Sequence, residues 1–120
     1  MKVAVTAQGP DLSSAVDPRV GRAACFIVVD TETGEHITHD NVQNLEAAQG
    51  AGIQASRQVI DFGAEALITG NLGPKAFAVL KSAGVKVYLA PAVSVLEAVE
   101  QLKAGELECS DGANVEGHWV

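Results

Sequence analysis

Aromatic side chains are scarce in this chain: three Phe, one Tyr and one Trp make up 4% of its 120 residues. Ala, Val, Ile and Leu must therefore fill the core, which suits helices packed on a largely parallel sheet. Cysteine is scarcer still. Cys25 and Cys109 are far apart and form neither a Cys-x-x-Cys pair nor a Cys/His cluster. That argues against a zinc or iron–sulfur site built from thiolates. Cys25 leads into Phe26-Ile27-Val28-Val29 and reads as a small core residue, while Cys109 reads as an exposed thiol in a polar tail. Basic charge is also short. Eight Lys and Arg stand against fifteen Asp and Glu, for a net charge of −7. Nucleic acid is an improbable partner, because neutralising phosphates needs a basic face. No apolar run approaches the ~18–20 residues of a membrane-spanning helix. Met1-Lys2 runs straight into a strand without a signal-peptide pattern, so a cytoplasmic protein with no membrane partner is expected. Low-complexity tracts and fixed-period repeats are absent.

What remains is a length suited to one domain with a proper core. Residues 2–7 form a first strand with apolar positions at 3 to 5. Residues 8–22, rich in Gly, Pro, Asp and Ser, form a loop of the length that is usually functional or disordered. Residues 24–30 and 35–39 read as a hairpin about the turn Thr31-Glu32-Thr33-Gly34, with the polar return strand at the sheet edge. A second loop spans 40–52. A helix at about 53–62 stops at Gly63, strand 66–69 follows, and the next helix, about 74–83, has Pro74 at its first position and Gly84 at its end. Strand 85–89 precedes a helix opened by Ser94-x-x-Glu97, a capping box, and closed at Gly105. The domain thus spans 1–105, and 106–120 is an acidic tail expected to be flexible. The order predicts an α/β fold: a mixed five-stranded sheet with an early antiparallel hairpin and helices on both faces. In such sheets ligands sit beyond the carboxyl ends of the parallel strands, here the loops after 2–7, 66–69 and 85–89.

Gly70-Asn71-Leu72-Gly73-Pro74-Lys75 occupies one of those loops. Strand, glycine turn and helix start follow in that order. The first helical amides point past the turn, glycine allows close approach to the backbone, and Lys75 adds a full charge. This is the chemistry of an anion site, although the same turn also serves as a tight strand-to-helix connection. The Gly-Lys-Ser/Thr element of a Walker loop and the Gly-x-Gly-x-x-Gly of a dinucleotide site are both missing. Asp17-Pro18-Arg19-Val20-Gly21-Arg22 supplies two arginines whose donor forks suit oxyanions or an anionic sulfide cluster. It equally suits a surface turn in which Asp17 pairs with one arginine. Gly50 and Gly52 offer a third group of backbone donors or a hinge.

No catalytic set emerges, and the protein is expected not to be an enzyme. Ser13, Ser14 and Ser94 have no neighbouring His or Lys. His36 and His39 are expected to share a face of the edge strand, where exposed histidines are more common than a metal pair. His118 and Cys109 are weak metal candidates in the tail.

At several of these segments the chain resembles the dinitrogenase iron–molybdenum cofactor biosynthesis family. The matching pieces are Met1-Lys2-Val3-Ala4-Val5, Asp11-Leu12-Ser13-Ser14-x-Val16, Gly21-Arg22-Ala23-x-x-Phe26, Gly50-x-Gly52, Gly70-x-x-Gly73-Pro74-x-Ala76 and Ser94-Val95-x-Glu97-Ala98. They run in family order to about residue 108. The resemblance implies a ribonuclease-H-like three-layer α/β/α fold and non-catalytic binding of a metal–sulfur cluster. Val20 stands where the family usually has an aromatic, and the tail carries isolated Cys109 and His118 rather than a ligand set. The stand-alone, orange-protein-like members are therefore the better match than those of the nitrogenase pathway.

The expectation is a carrier or scaffold for an anionic molybdenum-containing sulfide cluster, Mo-Cu-S or Fe-Mo-S, held non-covalently. Cluster-assembly or ATPase proteins would be its further partners. Arg19, Gly21, Arg22, Gly50, Gly52, Gly70, Asn71, Leu72, Gly73, Pro74 and Lys75 are the candidate binding residues, with Leu45, Ala47 and Ala48 offering apolar contact from the second loop. Two rivals use the same features: a binding module for a phosphorylated or nucleotide metabolite, and an interaction adaptor pairing through its hairpin edge.

Overall fold

Runs of small and β-branched residues set the centre of the molecule. The computed structural model describes residues 1–41 and 51–110. Strands β1 (Lys2–Ala7), β2 (Cys25–Asp30), β3 (His36–Asp40), β4 (Ala66–Thr69), β5 (Lys86–Leu89) and β6 (Glu108–Cys109) form one sheet in the order β3-β2-β1-β4-β5-β6. β1, β4 and β5 are parallel, and β2, β3 and β6 run antiparallel to their neighbours. Helices α1 (Ala51–Asp61), α2 (Pro74–Ser82) and α3 (Val95–Lys103) follow β3, β4 and β5.

The two-residue period of the strands sends alternate side chains to two cores. Val3, Val5, Ile27, Val29 and Ile68 pack with Val95, Ala98 and Val99 of α3. Ala4, Phe26, Val28, Leu67 and Val87 pack with Ala55 and Val59 of α1 and Ala76 and Leu80 of α2. The result is three layers, α3 on one face and α1 with α2 on the other. Burial from both sides explains why β1, β2 and β4 read as near-continuous apolar runs. Phe26 is fully buried and meets Phe62 edge-on, ring centroids 5.9 Å apart. Gly84 ends α2 at φ +77°, a conformation that costs a side-chain-bearing residue roughly 1 kcal/mol or more.

Three expectations need correction. The sheet has six strands, not five. The sixth lies in the segment expected to be a flexible tail: Glu108 and Cys109 pair with β5, and the Ser110 N–H donates to the Val87 carbonyl at 2.8 Å. Two exposed polar residues carry no alternation, so only the unpaired edge of β5 brings them into the sheet. His36 and His39 do not share a face. They are three residues apart, an odd spacing on a strand, so His36 sits opposite Val29 and His39 opposite Phe26. His39 stacks on Phe62 at 4.1 Å. Among the described residues, no helix is long and apolar enough to cross a membrane.

Candidate functional site

The parallel strands place the carboxyl ends Ala7, Thr69 and Leu89 along one edge of the sheet. Cys25 pairs with Ala7 and Asp40 with Cys25, so the start of β2 and the end of β3 share that edge. The loop between β1 and β2 folds back over it. Gln8 N–H donates to the Ala15 carbonyl at 2.9 Å and Asp17 N–H to the Thr6 carbonyl at 2.8 Å.

Among the described residues, this loop closes the N-terminus of α3 and not that of α2. At α3, Val95 and Leu96 donate to the carbonyls of Ser14 and Leu12, and Glu97 N–H donates to the Ser94 hydroxyl at 3.1 Å. The first turn is thereby satisfied. At α2 the N-cap is Gly73, which has no side chain to cap with, and Pro74 has no N–H. The first bond into the helix is Phe77 N–H to the Gly73 carbonyl, 3.0 Å. The N–H groups of Lys75 and Ala76 lie ahead of it at the positive end of the helix, beside the exposed ammonium of Lys75.

The two basic segments picked out in the sequence meet. Arg19 forms a parallel bridge with Asn71. Gly70 lies so close beneath Pro18 that an added Cβ would stand 2.7 Å from the Pro18 Cα. The junction is fastened from below by Thr6 and Thr69, both fully buried. Thr6 Oγ1 donates to the Asp17 carbonyl at 2.7 Å and lies 3.0 Å from Thr69 Oγ1. Asn41, at the end of β3 and buried, clamps the next stretch: its Nδ2 donates to the Ala23 carbonyl at 2.8 Å and its N–H to the Ala24 carbonyl at 3.1 Å. Gly21 is buried under this clamp and Arg22 is half-buried beside it. Thr6, Thr69 and Asn41 were missed in the sequence. Their one signal is polarity at positions where a covered strand or its end should be apolar.

Asp17 is itself buried, and its carboxylate accepts the Arg19 N–H at 2.9 Å with Arg19 Nε at 3.9 Å. Burial pushes its pKa above the ordinary carboxylate value, against the pull of the Arg19 N–H and charge. The folded state therefore holds the Asp17 proton more tightly than the unfolded chain. Its contribution to stability is full below the ordinary carboxylate pKa and falls as pH rises through the higher folded-state value. Asp17→Asn should flatten that part of the profile while keeping the bond from Arg19 N–H. Urea unfolding between about pH 3 and pH 7 checks it. An unchanged slope in the variant would assign the dependence to other groups.

Of the candidates, Arg19, Gly21, Arg22 and Gly70 to Lys75 gather at this edge. Gly52 lies in the first turn of α1, where its carbonyl accepts the Ser56 hydroxyl at 2.7 Å. The Leu72 side chain is fully buried in the core with Val20 and Ala76 and anchors the turn, so Leu72 can offer a ligand its backbone alone. Gly50, Leu45, Ala47, Ala48 and His118 lie outside the described residues. Cys109 is exposed on β6 opposite Tyr88, with β5 between it and β4. Cys25 is buried 4.0 Å from Asp40, and burial, then the Asp40 charge, push its thiol pKa up. Among the described residues, no three of His, Cys, Asp and Glu group closely enough to hold a metal ion.

The family model for the dinitrogenase iron–molybdenum cofactor matches residues 1–105. The chain belongs to that family. The apo orange protein of Desulfovibrio gigas is 42% identical, with 95% of this chain and 96% of that one covered and a TM-score of 0.92. A Thermotoga protein described as NifB-like is 39% identical over 97% of this chain and 98% of its own, TM-score 0.83. An uncharacterized protein of Methanocaldococcus jannaschii is 32% identical over 110 residues, 90% of each chain. This family membership supports a nitrogenase cofactor-related binding or carrier role.

Proposed function

We propose that this protein binds and carries an anionic molybdenum-containing sulfide cluster at the carboxyl edge of its sheet, without catalysing a reaction on it. One observation carries the reading: the 17–22 and 70–75 segments are in contact, through the Arg19–Asn71 bridge and the Gly70–Pro18 approach, in a chain of net charge −7. Three of the chain's eight bases, Arg19, Arg22 and Lys75, stand on these two segments, beside a helix N-terminus that no side chain among the described residues caps. Arg19, Arg22 and Lys75 supply charge, and the Lys75 and Ala76 amides supply donors to cluster sulfides. Thiols are given no part: Cys25 is buried, and Cys109 is a single exposed thiol on β6, separated from β4 by β5. A cytoplasmic carrier that receives the cluster from assembly proteins fits this chemistry. The β3-β2-β1-β4-β5 core with its antiparallel hairpin also supports the ribonuclease-H-like reading of the fold.

Mo-Cu-S is the cargo proposed ahead of Fe-Mo-S, because the chain resembles the stand-alone members of the family more than those of the nitrogenase pathway. Mixing the apo protein with tetrathiomolybdate and copper(II) should produce a charge-transfer absorption that co-elutes with protein on gel filtration. Retention should fall as ionic strength approaches about 1 M, where the screening length is about 3 Å. Colour that elutes entirely free of protein would refute the carrier reading. Thermal stabilisation by nucleotides but not by thiomolybdate would transfer the site to a phosphorylated metabolite.

A further inference from the structure

The two edges of the sheet are finished differently. β6 is only two residues long, which leaves little template for another strand. β3 has five residues, His-Ile-Thr-His-Asp, with no Lys or Pro to discourage pairing. On it Ile37 is 65% exposed, the most exposed of the large hydrophobic residues described.

Its backbone polarity can be worked out. Asp30 N–H donates to the Glu35 carbonyl and Asn41 N–H to the Ala24 carbonyl. Hydrogen-bonded and open pairs alternate along an antiparallel ladder. Glu35, Ile37, His39 and Asn41 therefore turn their backbone groups toward β2. His36, Thr38 and Asp40 turn theirs away from the sheet, and among the described residues no strand takes them up. Glu35, Ile37 and His39 share the α1 face by the two-residue period.

We infer that a second copy of this chain pairs with β3 in antiparallel fashion, about a two-fold axis through Ile37. Ile37 then faces its own copy, and Glu35 faces the second copy's His39 on either side of it. His36 and the second copy's Thr38 exchange the outward backbone bonds. The pattern is self-complementary in donor direction, sets apolar Ile37 on its own copy, and sets the Glu35 carboxyl against the His39 ring. A register displaced by one residue sets outward groups against groups already turned to β2 and forms no ladder. The register centred on Thr38 does form one and pairs His36 with Asp40, but it puts Ile37 against an imidazole and Glu35 against the buried Asn41. Because the paired strands run oppositely, the two carboxyl edges lie at opposite ends of the joint sheet.

Engineered disulfides read the register directly. The background is Cys109→Ser, since Cys109 is exposed and Cys25 is buried. In it, Ile37→Cys treated with diamide should give a covalent dimer on non-reducing gels. Facing Cα atoms of an open antiparallel pair lie about 4.5 Å apart, within disulfide reach. Thr38→Cys should not, because its copy lies two residues along the strand. Wild-type protein should show a reversible dimer by sedimentation, and Ile37→Lys should be monomeric with an unchanged circular dichroism spectrum. A wild-type monomer at every concentration up to about 1 mM overturns the proposal. So does cross-linking through Thr38→Cys in preference to Ile37→Cys.

Discussion

Replacing Gly70 with alanine is expected to lower folding stability by about 1–3 kcal/mol and to abolish cluster retention. The added Cβ would stand 2.7 Å from Pro18 Cα and 3.4 Å from the Pro18 carbonyl oxygen. Backbone atoms cannot swing aside as a side-chain tip can. Relief requires the 17–22 segment to lift off the end of β4. That breaks the Arg19–Asn71 bridge and draws the Asp17 carbonyl away from the buried Thr6 hydroxyl. One methyl group thus costs packing and a buried hydrogen bond together, and separates the two sources of charge. Gly9→Ala is the comparison. Its Cβ would meet the Ser14 hydroxyl at 2.7 Å, a side-chain atom that can rotate. That variant should lose less than about 1 kcal/mol. Denaturant unfolding gives the stabilities, and gel filtration after reconstitution gives retention. A Gly70→Ala protein with wild-type stability and full retention would show that the close approach does not hold the site together.

The double variant Arg22→Ala/Lys75→Ala should weaken binding of the thiomolybdate–copper cluster by about tenfold to a hundredfold for each charge removed. A hydrogen bond to a charged group is worth about 1.5–3 kcal/mol, and each 1.4 kcal/mol is a factor of ten. Lys81→Ala is the control. It removes the same charge from the same helix, but from the last turn, where the ammonium lies 6.0 Å from the Phe77 ring. Its effect should be small and should vanish with added salt. Equal losses in Lys75→Ala and Lys81→Ala would mean a diffuse field rather than a site. Circular dichroism and unfolding midpoints of each variant separate lost binding from lost fold.

Much of the architecture is legible in the residue order because local signals and the final fold agree. Pro74 at a helix start, Ser94 with Glu97 at another, and glycines just past three helix ends each have a local physical cause, and the structure uses them so. Reading failed where the cause was not local. β6 exists through its neighbour's free edge and has no pattern of its own. Thr6 and Thr69 are ordinary strand residues by propensity. Their hydroxyls acquire a purpose only when adjacent strands and the returning loop bring the Asp17 carbonyl between them.

Sequence alone determined that this is an aliphatic, acidic α/β chain, that its charge disfavours nucleic acid, and that Gly70 to Lys75 has the makings of an anion cradle. Composition, period and turn chemistry are properties of short stretches and survive without coordinates. Tertiary structure decided that, among the described residues, the 12–14 stretch satisfies the first donors of α3 and not those of α2, while Arg19 bridges Asn71 just ahead of α2. It also decided that two segments fifty residues apart in the chain form one edge. Parallel pairing of β1, β4 and β5 puts their carboxyl ends on one edge, whatever their separation along the chain.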